Sequence, residues 1–132
     1  MVPGRDWRQR EPLVDKILII MTSGPETPRR CATPFFFATL AAAMDLEARV
    51  FCTIDGTLLL KKGVAEQVFP KKDGQPASYF IKEAMDAGVT FAACTASMAL
   101  HDLKSQDLID GVALVGGATM WQMAQEGKTL VF

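Results

Sequence analysis

The sequence predicts an α/β fold, a three-layer α/β/α sandwich around a parallel sheet. Two observations lead there. Short unbroken apolar runs recur along the chain, the first stopped by Thr-Ser-Gly-Pro and the second by Asp-Gly, which is how strands buried on both faces of a parallel sheet read. Between them lie stretches rich in helix formers, which supply the crossovers that parallel neighbours require.

Residues 1–13 carry Pro3, Gly4, Pro12 and a cluster of charges without apolar period, and are expected to form a flexible arm preceding a single domain over 14–132. Lys16-Ile17-Leu18-Ile19-Ile20-Met21 is the first strand, stopped by Thr-Ser-Gly-Pro. A buried helix is expected from about Arg29 to Met44, with Pro28 at its start and Pro34 in its early turns. Ala48 to Ile54 is the second strand, followed by a short helix over Leu58 to Lys62 closed by Gly63, then an exposed loop over 66–76. Ser78 is placed to cap a helix running to Ala87, with Gly88 just beyond it. Val89 to Cys94 is strand three, and a short helix follows over Ser97 to Lys104. Val112 to Val115 is strand four, Ala118 to Gln125 a helix, and Thr129 to Phe132 strand five.

The chain has 132 residues, 49% of them hydrophobic and 22% charged, values of an ordinary globular protein of one domain. Fourteen Lys and Arg against fifteen Asp and Glu leave a net charge of −1, without the basic excess that phosphate-backbone binding leaves in a sequence, so no nucleic-acid partner is expected. No apolar run approaches the ~20 residues of a membrane span, and Asp15 and Lys16 interrupt the stretch nearest a signal peptide in character. Cys31, Cys52 and Cys94 are widely spaced with no Cys-x-x-Cys, which argues against a disulfide framework or thiolate metal site and for reduced thiols in the cytoplasm.

In parallel sheets the working edge is the carboxyl end of the strands. The loop after strand one brings Ser23, Gly24 and Glu26 there, the loop after strand two brings Asp55, and strand three ends in Cys94 with Thr95 and Ser97 behind it. Cys94, at a strand end before a helix, has backbone N–H groups nearby to favour thiolate; the competing reading is a small buried hydrophobe after Ala92 and Ala93. Cys31, in the first turn of its helix, reads as reactive by the same dipole argument or as part of an ordinary solvated turn beside Arg29 and Arg30, and Cys52, inside a strand, reads as core. His101 is the single histidine, which excludes multi-histidine metal sites; it is either the partner of Cys94 or a surface or capping residue. Glu26 and Asp55 are candidate polarising groups and equally ordinary turn residues. The first loop lacks the glycine pattern of a phosphate cradle, and no cofactor is expected.

The segment Ile-Leu-Ile-Ile-Met-Thr-Ser-Gly-Pro-Glu-Thr-Pro, the alanine-rich helix, Arg-Val-Phe, Asp-Gly and Lys-Lys-Gly resemble the DsrE/DsrF/TusD family of small sulfur-handling proteins. Ala-Gly-Val-Thr-Phe-Ala-Ala-Cys94-Thr-Ala-Ser-Met and the later Gly-Val and Val-Gly-Gly resemble its second half. The resemblance implies a Rossmann-like five-stranded parallel sheet, homotrimers or homohexamers, and a persulfide on Cys94 passed between TusA-like carriers and sulfurtransferases. The sequence departs at Asp45 to Glu47, where the family often ends its first helix with glycine. Two functions follow as expectations: a sulfur carrier acting through Cys94, or a non-catalytic oligomeric module that binds a ligand or partner with Cys94 merely packed. Phe35, Phe36 and Phe37 in succession predict an oligomer, since neighbours on a helix point about 100° apart and one of the three must face away from the sheet.

Overall fold

The computed structural model describes residues 15–132. The arm expected over residues 1–13 lies outside them. The elements run β1 (Lys16–Met21), α1 (Thr33–Ala43), β2 (Glu47–Cys52), α2 (Ala77–Asp86), β3 (Thr90–Cys94), α3 (Thr95–Leu100), β4 (Val112–Val115), α4 (Gly117–Gln125) and β5 (Lys128–Val131). All five strands are parallel, in the order β4-β3-β2-β1-β5. The expected sandwich is therefore present, with helices on both faces.

Alternation along each strand divides the core in two. Ile19 and Met21 of β1, Val50 and Cys52 of β2, and Phe91 and Ala93 of β3 face one side, where they pack with Phe35, Ala38 and Ala41 of α1 and Ile81 and Ala84 of α2. Leu18, Phe51 and Ala92 face the other, under Met120, Met123 and Ala124 of α4. Parity thus places Cys52 and Cys94 on opposite faces, and Cys94 lies on the thinner α4 side.

Several boundaries differ from the expected ones for identifiable reasons. The long first helix divides: Pro28–Arg30 form a single 3-10 turn, and α1 starts at Thr33 with Pro34 in its first turn, where its missing N–H costs nothing. β2 gives way after Cys52 to a 3-10 stretch, Ile54–Leu60, which replaces the helix expected over 58–62. α2 begins at Ala77 without a side-chain cap, so Ser78 is not its capping residue. α3 starts two residues before Ser97 and ends at Leu100 rather than Lys104.

Three helices end in the same way. After α2 the N–H of Gly88 bonds Met85 and that of Val89 bonds Ala84, with Gly88 at φ +94°. This is a Schellman ending, which needs a left-handed residue. After α1 and α3 the same pair of bonds forms around Asp45 (φ +64°) and Asp102 (φ +53°). Asp45 thus occupies the position where the sequence departs from the resembling family's glycine, and the turn forms regardless, because aspartate is among the side chains that tolerate this region.

Candidate active site around Cys94

β3 pairs with β2 so that Cys52 lies opposite Ala93 and with β4 so that Cys94 lies opposite Val115. Cys94 is consequently the last strand residue and also the residue from which α3 departs. Thr53, one step beyond β2, falls beside it. The Thr53 and Ser97 hydroxyl oxygens are 3.0 Å apart, and the Ile54 N–H donates to Ser97 Oγ at 2.7 Å. Between them the two hydroxyls hold two protons, one for the bond they share and one for the Cys94 sulfur.

Burial pushes the Cys94 thiol up, but the Thr53–Ser97 hydroxyl pair, with one proton to give the sulfur, and the N–H groups of Ser97 and Ala96 outweigh it and hold it below the ordinary thiol range. The other cysteines go the opposite way. Cys31 is buried, with its Sγ 3.3 Å from the Gly24 carbonyl oxygen, and burial raises it to about 11. Cys52 is fully enclosed and is pushed up to about 12. Among the three, Cys94 alone combines partial exposure with a stabilised thiolate.

The network continues through Ile54, whose carbonyl oxygen lies 3.1 Å from His101 Nε2. The same ring nitrogen is 3.5 Å from Asp55 Oδ1. Ile54 holds φ +52°, a conformation that a β-branched side chain adopts only under strain. That backbone sends the N–H of Ile54 toward Ser97 and its carbonyl toward His101. His101 follows directly on α3 and packs back on the turn after β2.

The predicted residues therefore divide. Thr95 opens α3 beside Gly116, and Ser97 is buried in the network. Asp55 joins it through His101, and Gly24 abuts the Asp55 backbone so closely that a Cβ there would overlap the carbonyl oxygen. Ser23 accepts from Arg30 Nε at 3.0 Å instead of facing the thiol. Glu26 is elsewhere, lining a groove of about 1000 Å³ that does not include Cys94. Thr53 and Ile54 went unnoticed in the sequence, since only the β2–β3 register shows what stands beside Cys94. Among the described residues no cluster of His, Cys, Asp and Glu suits a metal ion, and no helix is long and apolar enough to cross a membrane.

Comparison with known proteins agrees with this architecture. The chain is 24% identical over 119 residues to the uncharacterized protein MK0008 of Methanopyrus kandleri, covering 90% of this chain and 94% of that one. The crystal structure of the ychN protein from E. coli superposes with a TM-score of 0.75 at 17% identity, covering 89% of this chain and 99% of that one. BT1422 from Bacteroides thetaiotaomicron gives 0.64 at 14% identity over 89% and 95% of the two chains. These structures share the fold. Residues 15–132 match the DsrE/DsrF-like family over the whole described length, and the chain belongs to that family.

Proposed function

We propose that Cys94 carries sulfane sulfur as a persulfide and relays it to a partner protein. DsrE/DsrF-like membership points generally toward sulfur relay. The observation that carries the specific reading is the hydrogen-bonded, partly exposed Cys94, stabilised as thiolate where the other two thiols are suppressed.

The Cys94 thiolate attacks the outer sulfur of a donor persulfide. The donor's S–S bond breaks, its inner sulfur leaves as thiolate with the bonding pair, and the proton stays on the transferred sulfur. No net oxidation occurs. In the second step an acceptor thiolate attacks that outer sulfur and Cys94 leaves, an exit that a depressed pKa favours. Thr53 and Ser97 solvate the departing sulfur; His101 and Asp55, through Ile54, hold the turn that carries Thr53. Ser23, Gly24 and Thr95 complete the surrounding loops. TusA-like carriers and sulfurtransferases are the partners this reading implies, and no organic cofactor enters.

Incubation with polysulfide tests it. Intact-mass spectrometry followed by peptide mapping is expected to find added sulfur on Cys94 and none at that position in Cys94→Ser. Loading on Cys31 with Cys94 untouched would refute the assignment.

The chain also exposes large apolar side chains: Phe36, Phe37 and Leu40 along α1, Met44 at its end, and Trp121 on α4. We infer a closed homotrimer or homohexamer, consistent with the alternative role of an oligomeric binding module.

A further inference from the structure

The groove holding Glu26 is distinct from the Cys94 network. One wall is the turn leading into α1, with Arg29 and Arg30; the other is the segment leading into α2, with Lys71 and Lys72. Phe69, 43% exposed, adds an aromatic surface, and Glu26 is the one carboxylate of the lining. In a chain of net charge −1 this places four cations against one anion at a single concavity. The ion pairs between described residues lie elsewhere, at Lys16, Arg49, Lys82 and His101. Arg30 is also oriented: its Nε donates to Ser23, and among the described residues its two terminal nitrogens have no partner.

The backbone of the first wall faces inward. The N–H groups of Thr27, Arg30 and Cys31 bond the carbonyls of Gly24, Thr27 and Pro28, and Pro25 and Pro28 have no N–H to offer. Few amides of this wall are left to cradle a phosphate, and recognition falls mainly to long side chains spread along two walls. Paired basic walls with an exposed aromatic between them match carboxylates spaced along an extended chain with an apolar side chain among them.

We propose that this groove seats an extended acidic segment of a partner protein, its carboxylates on Arg29, Arg30, Lys71 and Lys72 and an apolar side chain on Phe69. Such docking is independent of the chemistry at Cys94 and adds to it a means of choosing partners by charge.

Fluorescence anisotropy with a labelled peptide alternating glutamate and leucine, added to the full chain at low salt, tests this. Saturable binding that weakens as salt rises is expected, while a matched lysine–leucine peptide does not bind. Reversing one charge on each wall, Arg29→Glu with Lys71→Glu, is expected to weaken binding by about tenfold or more, and Glu26→Lys to tighten it. An unchanged far-UV circular dichroism spectrum of the Arg29→Glu, Lys71→Glu variant excludes misfolding as the cause of the loss. Iodoacetamide reactivity of Cys94 in the same variants reports on the persulfide site separately. Absence of peptide binding, or binding indifferent to both sets of charge changes, overturns the proposal. So does complete displacement by inorganic phosphate, which would make the groove a phosphate site, or tighter binding of single-stranded DNA than of the peptide.

Discussion

The Ser97 hydroxyl oxygen lies 3.0 Å from that of Thr53 and receives the Ile54 N–H at 2.7 Å, so one side chain ties the start of α3 to the turn after β2 beside the Cys94 sulfur. Both hydroxyls favour the thiolate. Ser97→Ala and Thr53→Val are therefore each expected to raise the Cys94 pKa and to slow its alkylation at neutral pH by roughly threefold to tenfold. Ser97→Ala also leaves the Ile54 N–H without its partner, a loss of about 1–3 kcal/mol in stability. Iodoacetamide rates followed against pH, alongside urea unfolding, measure both. An unchanged pH–rate profile in both variants would remove the network from any role at the thiol.

The buried thiols predict an alkaline weakness. Cys31 and Cys52 have folded pKa values raised from 9.0 to about 11 and about 12. A raised value means the folded state holds its proton more tightly, so the stabilisation is complete below the unfolded pKa and is lost as pH climbs toward the folded one. The thermal midpoint is expected to fall steadily from about pH 9 upward. Cys52→Ala, whatever its stability at neutral pH, is expected to show a shallower decline. Cys94, with its lowered pKa, has the opposite sign, its contribution vanishing as pH falls through the folded value. Equal alkaline slopes in wild type and Cys52→Ala would contradict the assignment.

Strand parity made much of the fold legible. Ile17 to Met21, Val50 to Cys52 and Phe91 to Ala93 read as buried strands because apolar side chains occupy both faces, and the structure divides them between two layers. Cys94 was legible as a strand end before a helix. Its surroundings were not, because they depend on the register that sets Cys52 opposite Ala93, and nothing local in either strand fixes that pairing. His101 was ambiguous for the same reason: its contact with the Ile54 carbonyl spans 47 positions. The 3-10 stretch Ile54–Leu60 escaped because its leucines are good α-helix formers, while the close approach of Gly56 to the Met21 carbonyl sets the backbone path.

Asp45 and Asp102 hold left-handed conformations that cost a side chain roughly 1 kcal/mol and a glycine nothing. Asp45→Gly is expected to stabilise by up to about 0.6 kcal/mol after the entropy of the more flexible unfolded chain is subtracted. The carboxylate of Asp45 is exposed and makes no side-chain hydrogen bond to another described residue, so nothing else is lost. Urea denaturation decides; a destabilised variant would show that the aspartate contributes something beyond the turn.

Gly24 and Gly56 predict the reverse. A Cβ at Gly24 would overlap the Asp55 carbonyl oxygen, and one at Gly56 the Met21 carbonyl oxygen; both obstacles are backbone, with no flexible side chain to move aside. Gly24→Ala and Gly56→Ala should each cost about 2–4 kcal/mol. Gly24→Ala should in addition displace the turn carrying Asp55 and Ile54 and so alter Cys94 alkylation, whereas Gly117→Ala, where a Cβ meets nothing within 4 Å, should disturb neither backbone nor thiol. Stability within 1 kcal/mol of wild type for both crowded variants would contradict the close approach.

The phenylalanine run resolves into three environments that argue for assembly. Phe35 is fully buried, its ring centroid 5.9 Å from that of Phe91. Phe37 stays 42% exposed although its ring meets that of Phe132 edge-on at 5.8 Å, and Phe36 is 50% exposed with its ring turned toward Phe37. α1 has no charged residue from Thr33 to Ala43, so its outer side offers water only Phe36, Phe37, Leu40 and a few small groups. A helix that is apolar all round is stable where both sides are covered, and the sheet covers only one. Light scattering at micromolar concentration is expected to report a trimer or hexamer, and Phe36→Glu, a change at a half-exposed side chain, to shift it toward smaller species while leaving secondary structure intact. A monodisperse particle of 14.4 kDa in the wild type would defeat this expectation.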